Sequence, residues 1–226
     1  MSMFERTIAL LGEEKFNLLK EKTVAIFGLG GVGGTATEAL VRSGVHSLII
    51  IDFDNVDISN LNRQILYNQN DIGNPKALVA KKHLNAINPD CQIKVLNLKA
   101  DDTNVTYLSE YKIDFIIDAI DDVKGKIAIA KFAQENRLPL IISLGMANRL
   151  DSTNVEVVRL DKTKDDPLAR KIRYEFKNAN INTKKVMTVC SKEVPLIKGK
   201  ILSSMMMVPS SAGLAIASYV IKELTK

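Results

Sequence analysis

The chain has 226 residues, of which 46% are hydrophobic and 25% charged, a composition typical of a globular protein and not of a disordered or fibrous one. No apolar run is long enough to span a bilayer and no export signal opens the chain, so we expect no membrane span and a cytoplasmic protein. The net charge of +5 arises within residues 151–200, a local excess that suits either a polyanionic partner such as RNA or a solubilising surface.

The N-terminal arm, residues 4–20, is predicted to form two short helices separated near Gly12. Arg6 lies in the first of them, where a solvated charge is the simplest interpretation. The apolar run 24–27 then predicts a buried parallel strand, and a helix is predicted over 35–43.

A glycine-rich turn joins this strand to the helix. Its glycines are Gly28, Gly30, Gly31 and Gly33. Three of them match the G-x-G-x-x-G pattern, in which main-chain N–H groups at a helix N-terminus bind phosphate. The pattern does not require Gly31. The turn therefore predicts a nucleotide site, whereas the bland alternative is a turn that only lets the helix pack on the strand.

A second buried strand, 47–52, ends in the acids Asp52 and Asp54. In a dinucleotide fold an acid at this strand end, about 20 residues after the glycines, hydrogen-bonds a ribose hydroxyl. A helix cap or a turn carboxylate is the alternative interpretation of Asp52.

A long polar loop follows where a dehydrogenase would usually enter its next helix. Besides Asn60 and Gln64 it carries two cations, Arg63 and Lys76, and Pro75 is a suitable first residue for a helix running to residue 88. Two cations beside a phosphate turn suit a triphosphate whose charge shifts during a reaction better than a pyrophosphate linker.

Three further strands are predicted over 92–98, 114–120 and 139–143, alternating with helices, so we expect a mainly parallel sheet covered on both faces. Three acids, Asp118, Asp121 and Asp122, end the second of these strands. Acids at that edge indicate a metal ligand or a base, although Asp122 is equally suited to capping the helix that follows.

The pattern changes after residue 150. The predicted elements are an antiparallel strand over 154–160, a helix over 167–178 capped by Asp166, a strand over 186–190, a basic loop over 192–201, a strand over 203–208 and an apolar helix over 209–224. The predicted fold class is therefore α/β: a Rossmann-like doubly wound, mainly parallel sheet with a C-terminal antiparallel extension and a terminal apolar helix.

The motifs GLGGVGG, IDFDNVDISNLNRQ, IGNPKA and IDAIDD together resemble the activating-enzyme superfamily, which includes the ubiquitin-like protein activators and the bacterial molybdopterin and thiamine sulfur-carrier adenylyltransferases. The resemblance implies adenylation of a carboxylate by ATP, with residues 1–150 as the ATP-binding domain. It also implies that Asp52 holds the ribose, that Asn60, Arg63 and Lys76 contact the phosphates and that Asp121 binds Mg²⁺. Arg6 matches an arginine that these enzymes insert into a neighbouring subunit's site, which implies a homodimer.

Residues 151–226, an extension of the same globular unit, resemble the tRNA threonylcarbamoyladenosine dehydratases through DPLARKIRYEF, CSKEVP and VPSSAGLAIASYVIKEL. Such enzymes activate the threonyl carboxylate of the modified tRNA base with ATP and close it into a ring. The candidate cofactors are ATP and Mg²⁺, with a monovalent cation (K⁺ or Na⁺) as an open third. The candidates for contacting tRNA are Arg159, Arg170, Lys171, Arg173 and Lys177, and neither DNA nor a membrane is expected as a partner.

Three alternatives stay open on the sequence. One is an adenylyltransferase for a ubiquitin-like sulfur carrier, which would bring a sulfur-transfer protein as partner; the absence of C-x-x-C zinc pairs argues against it. The others are an NAD-dependent oxidoreductase and a non-catalytic nucleotide-binding protein. Cys190 is the only late cysteine able to take a thioester, and a buried strand cysteine is its simpler interpretation.

Overall fold

The computed structural model describes residues 2–164, 166–197 and 203–226, so the predicted loop over 192–201 falls partly outside the described residues. The helices are α1 (Glu5–Leu11), α2 (Glu13–Lys20), α3 (Gly31–Ser43), α4 (Lys76–Ile87), α5 (Val123–Glu135), α6 (Pro167–Asn178) and α7 (Met207–Leu224). The strands are β1 (Thr23–Phe27), β2 (Ser47–Ile51), β3 (Gln92–Leu96), β4 (Phe115–Asp118), β5 (Leu140–Ser143), β6 (Val155–Arg159) and β7 (Val186–Ser191).

These strands form one sheet in the order β3-β2-β1-β4-β5-β7-β6. Strand β1 pairs in parallel with both β2 and β4, β7 pairs in parallel with β5, and β6 pairs antiparallel with β7. The predicted fold class is confirmed. Because the strand order reverses between β1 and β4, a crevice opens at their carboxyl ends, where doubly wound sheets bind ligands.

Helices cover both faces of the sheet. The core on one face contains side chains of α3, α4 and α7, whereas the core on the other contains side chains of α5 and α6. Strand residues such as Ile26 and Ile117 are therefore fully buried, which explains why the central strands are continuous apolar runs with no polar alternation. Among the helices of the described residues, none combines the length and the apolarity that crossing a bilayer requires.

The C-terminal helix α7 packs directly on the start of α3. Its Gly213 permits this approach, since a Cβ there would lie 2.5 Å from the carbonyl oxygen of Val32. The helix begins at Met207, so the strand predicted over 203–208 is wrong. Pro209 is tolerated because the first helical turn needs no hydrogen bond from its nitrogen. Helix α7 thus supports the segment that carries the glycine turn.

Candidate active site

A cavity of about 570 Å³ opens in the crevice at the carboxyl ends of β1, β2 and β4. The residues predicted from the sequence that line it are Gly28, Gly30, Gly31, Asp52, Asp54, Asn60, Arg63, Gln64, Lys76 and Asp121. One wall is apolar and includes Ile51, Phe53, Leu98 and Ile120. The cavity therefore joins an apolar wall to a polar wall that carries both cations and carboxylates.

The glycine turn holds main chain where side chains would not fit. Gly28 has a φ of 85°, and a Cβ there would lie 2.8 Å from the carbonyl oxygen of Ala119. Gly33 is more crowded, because its Cβ would approach the Gly28 carbonyl oxygen to 1.9 Å. Gly33 is buried and is absent from the described lining of the cavity, so its contribution is to keep the turn closed. Helix α3 begins at Gly31, earlier than predicted, which makes the turn itself the helix N-terminus.

Two alanine substitutions separate packing from binding in this turn. Gly33→Ala is expected to destabilise the protein by about 1–3 kcal/mol, because the new methyl group overlaps main chain. Gly30→Ala is expected to keep the wild-type melting temperature, since the nearest atom to its Cβ is Gln64 Nε2 at 3.7 Å. It should weaken nucleotide binding by about tenfold, because the methyl group enters the space where a phosphate approaches main chain. Thermal unfolding measures the first effect and nucleotide titration the second. A Gly30→Ala variant that binds nucleotide as tightly as the wild type would contradict a phosphate contact at Gly30.

Asp52 and Tyr67 fix the peptide groups of Leu29 in the turn. Asp52 Oδ2 accepts a hydrogen bond from the Leu29 N–H at 2.7 Å, and the Tyr67 hydroxyl donates to the Leu29 carbonyl oxygen at 3.0 Å. Burial raises the pKa of Asp52, and the N–H groups of Leu29 and Asp54 oppose that rise. Each carboxylate oxygen keeps a further lone pair, so Asp52 can also accept hydrogen bonds from a ligand's hydroxyls.

The polar loop after β2 carries three of the predicted site residues in a fixed arrangement. Asn60 Oδ1 accepts from the Asp57 N–H at 3.1 Å, which leaves the Asn60 amide nitrogen as a donor for a ligand. Arg63 Nη1 donates to the carbonyl oxygen of Ser59 at 2.7 Å. Gln64 is buried, and its Oε1 has no hydrogen-bond partner among the described residues, so the cavity wall contains an acceptor that a ligand can satisfy.

Lys76 begins α4 and is held against Asp54. Its ammonium lies 3.0 Å from Asp54 Oδ2; the Lys76 side chain is 8% exposed and that of Asp54 is 50% exposed. The main chain reinforces the contact, because the Lys76 N–H donates to the Asp54 carbonyl oxygen at 2.9 Å. Asp54, predicted to bind the cofactor, lines the cavity chiefly as the partner that orients Lys76.

The three acids after β4 occupy three different environments. Asp118 is fully buried and lies 2.9 Å from the ammonium of Lys126, so it cannot reach a ligand. Asp122 caps α5 by accepting from the Gly125 N–H at 2.9 Å, as its alternative interpretation predicted. Asp121 and Asp122 both line the cavity, but Asp121 is exposed, whereas Asp122 is half-buried and its carboxylate is held by the cap of α5.

Asp121 fits one mode of magnesium binding. Within the described ranges, no group of three or more histidine, cysteine or acidic side chains is arranged to hold a metal. Mg²⁺ usually binds one or two carboxylates together with substrate phosphates and water, so a lone carboxylate opposite a phosphate site is sufficient. The residues present therefore fit a magnesium ion that arrives with a nucleotide.

The remaining predicted residues lie outside the cavity. Arg6 is exposed on α1 and is not among the described residues that line the cavity of the same chain. Arg159 forms a two-point ion pair with Asp161, at 3.0 and 3.1 Å. Arg173 donates to both oxygens of Thr163. These two arginines are thus partly engaged within the chain.

Helix α6 carries the other three cations on an exposed surface, which we call the α6 surface: Arg170, Lys171 and Lys177. Within the described residues none of the three forms an ion pair. The opposite side of α6 is buried through Ala169, Ile172 and Phe176, so the helix has one packed side and one basic side.

Sequence reasoning missed several residues that shape the site. Lys126 and Tyr67 hold the strand ends and the glycine turn, and Lys99 lines the cavity with its ammonium 5.7 Å from the centre of the Phe53 ring. Away from the cavity, Arg149 is buried beside Asp166, with Nη2 3.6 Å from that carboxylate. Lys99 directly follows the predicted strand over 92–98, but no local pattern marks a buried lysine or arginine.

Cys190 lies in β7 and is 5% exposed. Burial and the nearby Glu156 carboxylate raise its pKa to about 11, so the group is a thiol at neutral pH and a poor nucleophile. The interpretation of Cys190 as a buried strand cysteine agrees with this environment.

Cys190→Ala is expected to retain at least about half of wild-type turnover and to lose about 1 kcal/mol of stability, because only a small buried group is removed. Cys91→Ala, at a second buried thiol whose pKa burial raises to about 11, is the matched control. If a folded Cys190→Ala protein lost turnover and Cys91→Ala did not, Cys190 would be needed for the reaction, contrary to the expectation that no thioester forms on the protein.

The strand order, the glycine turn at a helix N-terminus and the cations across the cavity define a Rossmann-like nucleotide-binding protein equipped for phosphate chemistry. The chain belongs to the ThiF family, whose model matches residues 4–226. It is 34% identical over 244 residues to the tRNA threonylcarbamoyladenosine dehydratase of Bacillus subtilis, and the alignment covers 100% of this chain and 96% of that protein.

Two crystal structures of the tRNA N6-threonylcarbamoyladenosine dehydratase TcdA of E. coli are also similar, one in complex with AMP and the other with ATP. Each has a TM-score of 0.92 and 32% identity, and each match covers 98% of this chain and 93% of that one. The similarity extends through the region after residue 150, where the chain departs from a plain nucleotide-binding domain.

Proposed function

We propose that this protein is an ATP-dependent tRNA threonylcarbamoyladenosine dehydratase. It adenylates the threonyl carboxylate of the modified base and closes the activated group into a ring. The observation that carries this proposal is the cavity in which a phosphate turn faces Arg63 and Lys76, because those cations exceed what a bound dinucleotide needs. The nearly full-length similarity to dehydratases, one of them with ATP bound, supports the same reaction.

The cavity suggests how ATP binds. The adenine ring lies on the apolar wall, and Asp52 accepts from the ribose hydroxyls. The phosphates lie over the glycine turn, within reach of Asn60, Arg63 and Lys76. Asp121 would hold Mg²⁺, and the ion would offset the charge of the phosphates and polarise the α-phosphorus.

The reaction has two steps. A carboxylate oxygen of the substrate attacks the α-phosphorus, the bond to the β-phosphate breaks and pyrophosphate leaves. Arg63 and Lys76 stabilise the negative charge that builds on the phosphoryl oxygens. An atom of the carbamoyl group then attacks the activated carbonyl carbon and loses its proton, and AMP leaves with the oxygen of the former carboxylate. Ring closure is intramolecular, so the enzyme needs no nucleophile of its own.

The α6 surface is the proposed contact for tRNA phosphates, with Arg159 and Arg173 at its margin. Its cations are exposed, whereas their helix is anchored through Ile172 and Phe176, so the charge is presented on a rigid element. The tRNA substrate also supports a cytoplasmic location for the protein.

Charge reversal tests this surface. The double substitution Arg170→Glu/Lys171→Glu is expected to weaken tRNA binding at least about tenfold and to reduce the slope of log Kd against log salt, because fewer counterions are released. The matched control is Lys81→Glu/Lys82→Glu on α4, which packs on the opposite face of the sheet. An unchanged salt slope in the α6 variant would remove this surface from the RNA contact.

A homodimer is part of the proposal. Arg6 is exposed on α1 and does not line its own chain's described cavity, so its predicted role needs a second copy whose site it enters. Sedimentation of the protein tests whether it is a dimer. Mixing an Arg6→Ala variant with a Lys76→Ala variant tests whether Arg6 acts in the site of the other subunit. Mixed dimers regain one intact site if Arg6 acts across the interface. The monovalent cation stays a prediction.

The main alternative is an adenylyltransferase that activates a sulfur-carrier protein. One assay separates the candidates: release of AMP from ATP with modified tRNA, with unmodified tRNA, and with a ubiquitin-like carrier ending in Gly-Gly. We expect release with modified tRNA alone. Release with the carrier alone would favour the alternative, and ATP binding without any release would favour a non-catalytic protein. Protection from unfolding by NAD and not by ATP would favour an oxidoreductase.

A further inference from the structure

A fully buried ion pair lies beneath the candidate active site. Lys126 in the first turn of α5 and Asp118 at the end of β4 are both 0% exposed, and their charged atoms are 2.9 Å apart. Lys126 also donates to the carbonyl oxygen of Ser143 at the end of β5, at 3.0 Å. No assigned role of the site uses this pair.

The pair closes the loop that carries Asp121. Residues 119–122 leave β4 directly after Asp118 and enter α5 at Val123, three residues before Lys126, so the ion pair joins the two ends of this loop. Asp118 Oδ1 also accepts from the Ile120 N–H inside the loop, at 3.2 Å. Because Ala119, Ile120 and Asp121 line the cavity, the pair fixes one wall of the nucleotide site.

Stability alone does not account for this arrangement. Removing two charges from water costs several kcal/mol per ion, and well-packed apolar residues of similar volume are often as stable or more stable. Here Asp118 Oδ2 even lacks a hydrogen-bond partner among the described residues. The fixed length and direction of the lysine–carboxylate contact supply geometry that an apolar pair would not.

We infer that Asp118 and Lys126 are positioning residues, which hold the 119–122 loop so that Asp121 faces the phosphates of bound ATP. The inference rests on the proposed function, in which ATP binds with Mg²⁺ at Asp121. Neither residue touches the ligand: both act through the loop whose ends they join.

The test is the double substitution Asp118→Asn/Lys126→Met, which removes both charges and leaves none buried without a partner. Asparagine keeps the oxygen that accepts from the Ile120 N–H. The matched control is Asp114→Asn/Lys22→Met, which removes an ion pair of 3.0 Å next to the opposite end of β4. Both variants lose one acid and one base, and only the first lies beside the cavity.

Two readouts need no tRNA. We expect the amides of residues 120–122 to exchange hydrogen at least about tenfold faster in the Asp118/Lys126 variant, as local opening becomes easier. We also expect Mg²⁺ to increase the affinity for ATP at least about fivefold less in this variant than in the wild type. The affinity for ATP without metal should change less than about twofold, because misplacing Asp121 affects only the metal contact. In dehydration assays kcat should fall about tenfold with the KM for tRNA unchanged.

A folded variant with wild-type exchange and a wild-type magnesium effect would overturn the inference. If the variant fails to fold, hydrogen exchange of the wild-type protein is the test. Unprotected amides at 120–122 would mean that the pair does not hold the loop. Strong protection there that is lost in a folded Lys126→Arg protein would support the positioning role. A wild-type protein that binds Mg-ATP but dehydrates no tRNA refutes the proposed function and leaves the exchange and binding results to judge the positioning role.

Discussion

Replacing Lys76 by alanine is expected to lower the turnover of tRNA dehydration by about 10²–10³-fold while the protein stays folded. Adenylation places growing negative charge on the α-phosphoryl oxygens, and losing one fixed donor to such a charge costs about that much in rate. Arg63→Ala should act in the same direction, because its guanidinium lines the same cavity.

The fold should tolerate Lys76→Ala. The side chain is buried, but its partner Asp54 is 50% exposed, so water can solvate the carboxylate that the substitution leaves behind. We expect a loss of at most about 1 kcal/mol in unfolding free energy. The control is Lys82→Ala, which removes an exposed cation further along α4. Single-turnover rates with saturating ATP make the comparison, and a Lys76→Ala protein within threefold of wild type would contradict the assigned role.

Asp121→Asn is expected to lower turnover by about 10²-fold and to raise the Mg²⁺ concentration needed for half-maximal rate. An amide oxygen is a weaker ligand than a carboxylate for a hard cation, and the phosphates lose part of their compensating charge. The Asp121 side chain is exposed and forms no ion pair or hydrogen bond with the described residues. The unfolding free energy should therefore be unchanged within about 0.5 kcal/mol.

The adjacent residue supplies the control for Asp121. Asp122→Asn makes the same chemical change one position later, where the side chain caps α5 and asparagine caps equally well. We expect its turnover and its magnesium dependence to be close to wild type. Titrating Mg²⁺ against both variants separates the two positions, and wild-type magnesium dependence in Asp121→Asn would remove Asp121 from the metal site.

The central sheet and the nucleotide turn were predictable because their signals are local. A continuous apolar run such as 24–27, followed by glycines and a helical pattern, indicates a buried parallel strand entering a phosphate turn. The alternation of strands and helices then predicts a mainly parallel sheet with helices on both faces, whereas the order of the strands comes from the structure. The start of α7 was not predictable, because Met205, Met206 and Met207 suit a strand and a helix equally, and packing against α3 decided between them.

The site was predictable where a residue type alone fixes the chemistry, as for Arg63 and Lys76. It was not predictable where tertiary packing changes what a residue can do. Asp118 and Asp121 look alike in the sequence, but Lys126 buries one of them in an ion pair and leaves the other exposed. Lys126 itself lies in the first turn of α5, where a lysine is usually solvated, so only the sheet and α5 together determine its burial.

The most direct measurement is the mass of threonylcarbamoyladenosine in tRNA after incubation with the protein, ATP and Mg²⁺. The proposed reaction predicts that the nucleoside loses the mass of one water and that AMP and pyrophosphate appear in equal amounts. Omission of ATP should abolish the change, and the Lys76→Ala substitution should slow it by about 10²–10³-fold. A nucleoside of unchanged mass with the folded wild-type protein, under conditions in which ATP binds, would contradict the proposed function.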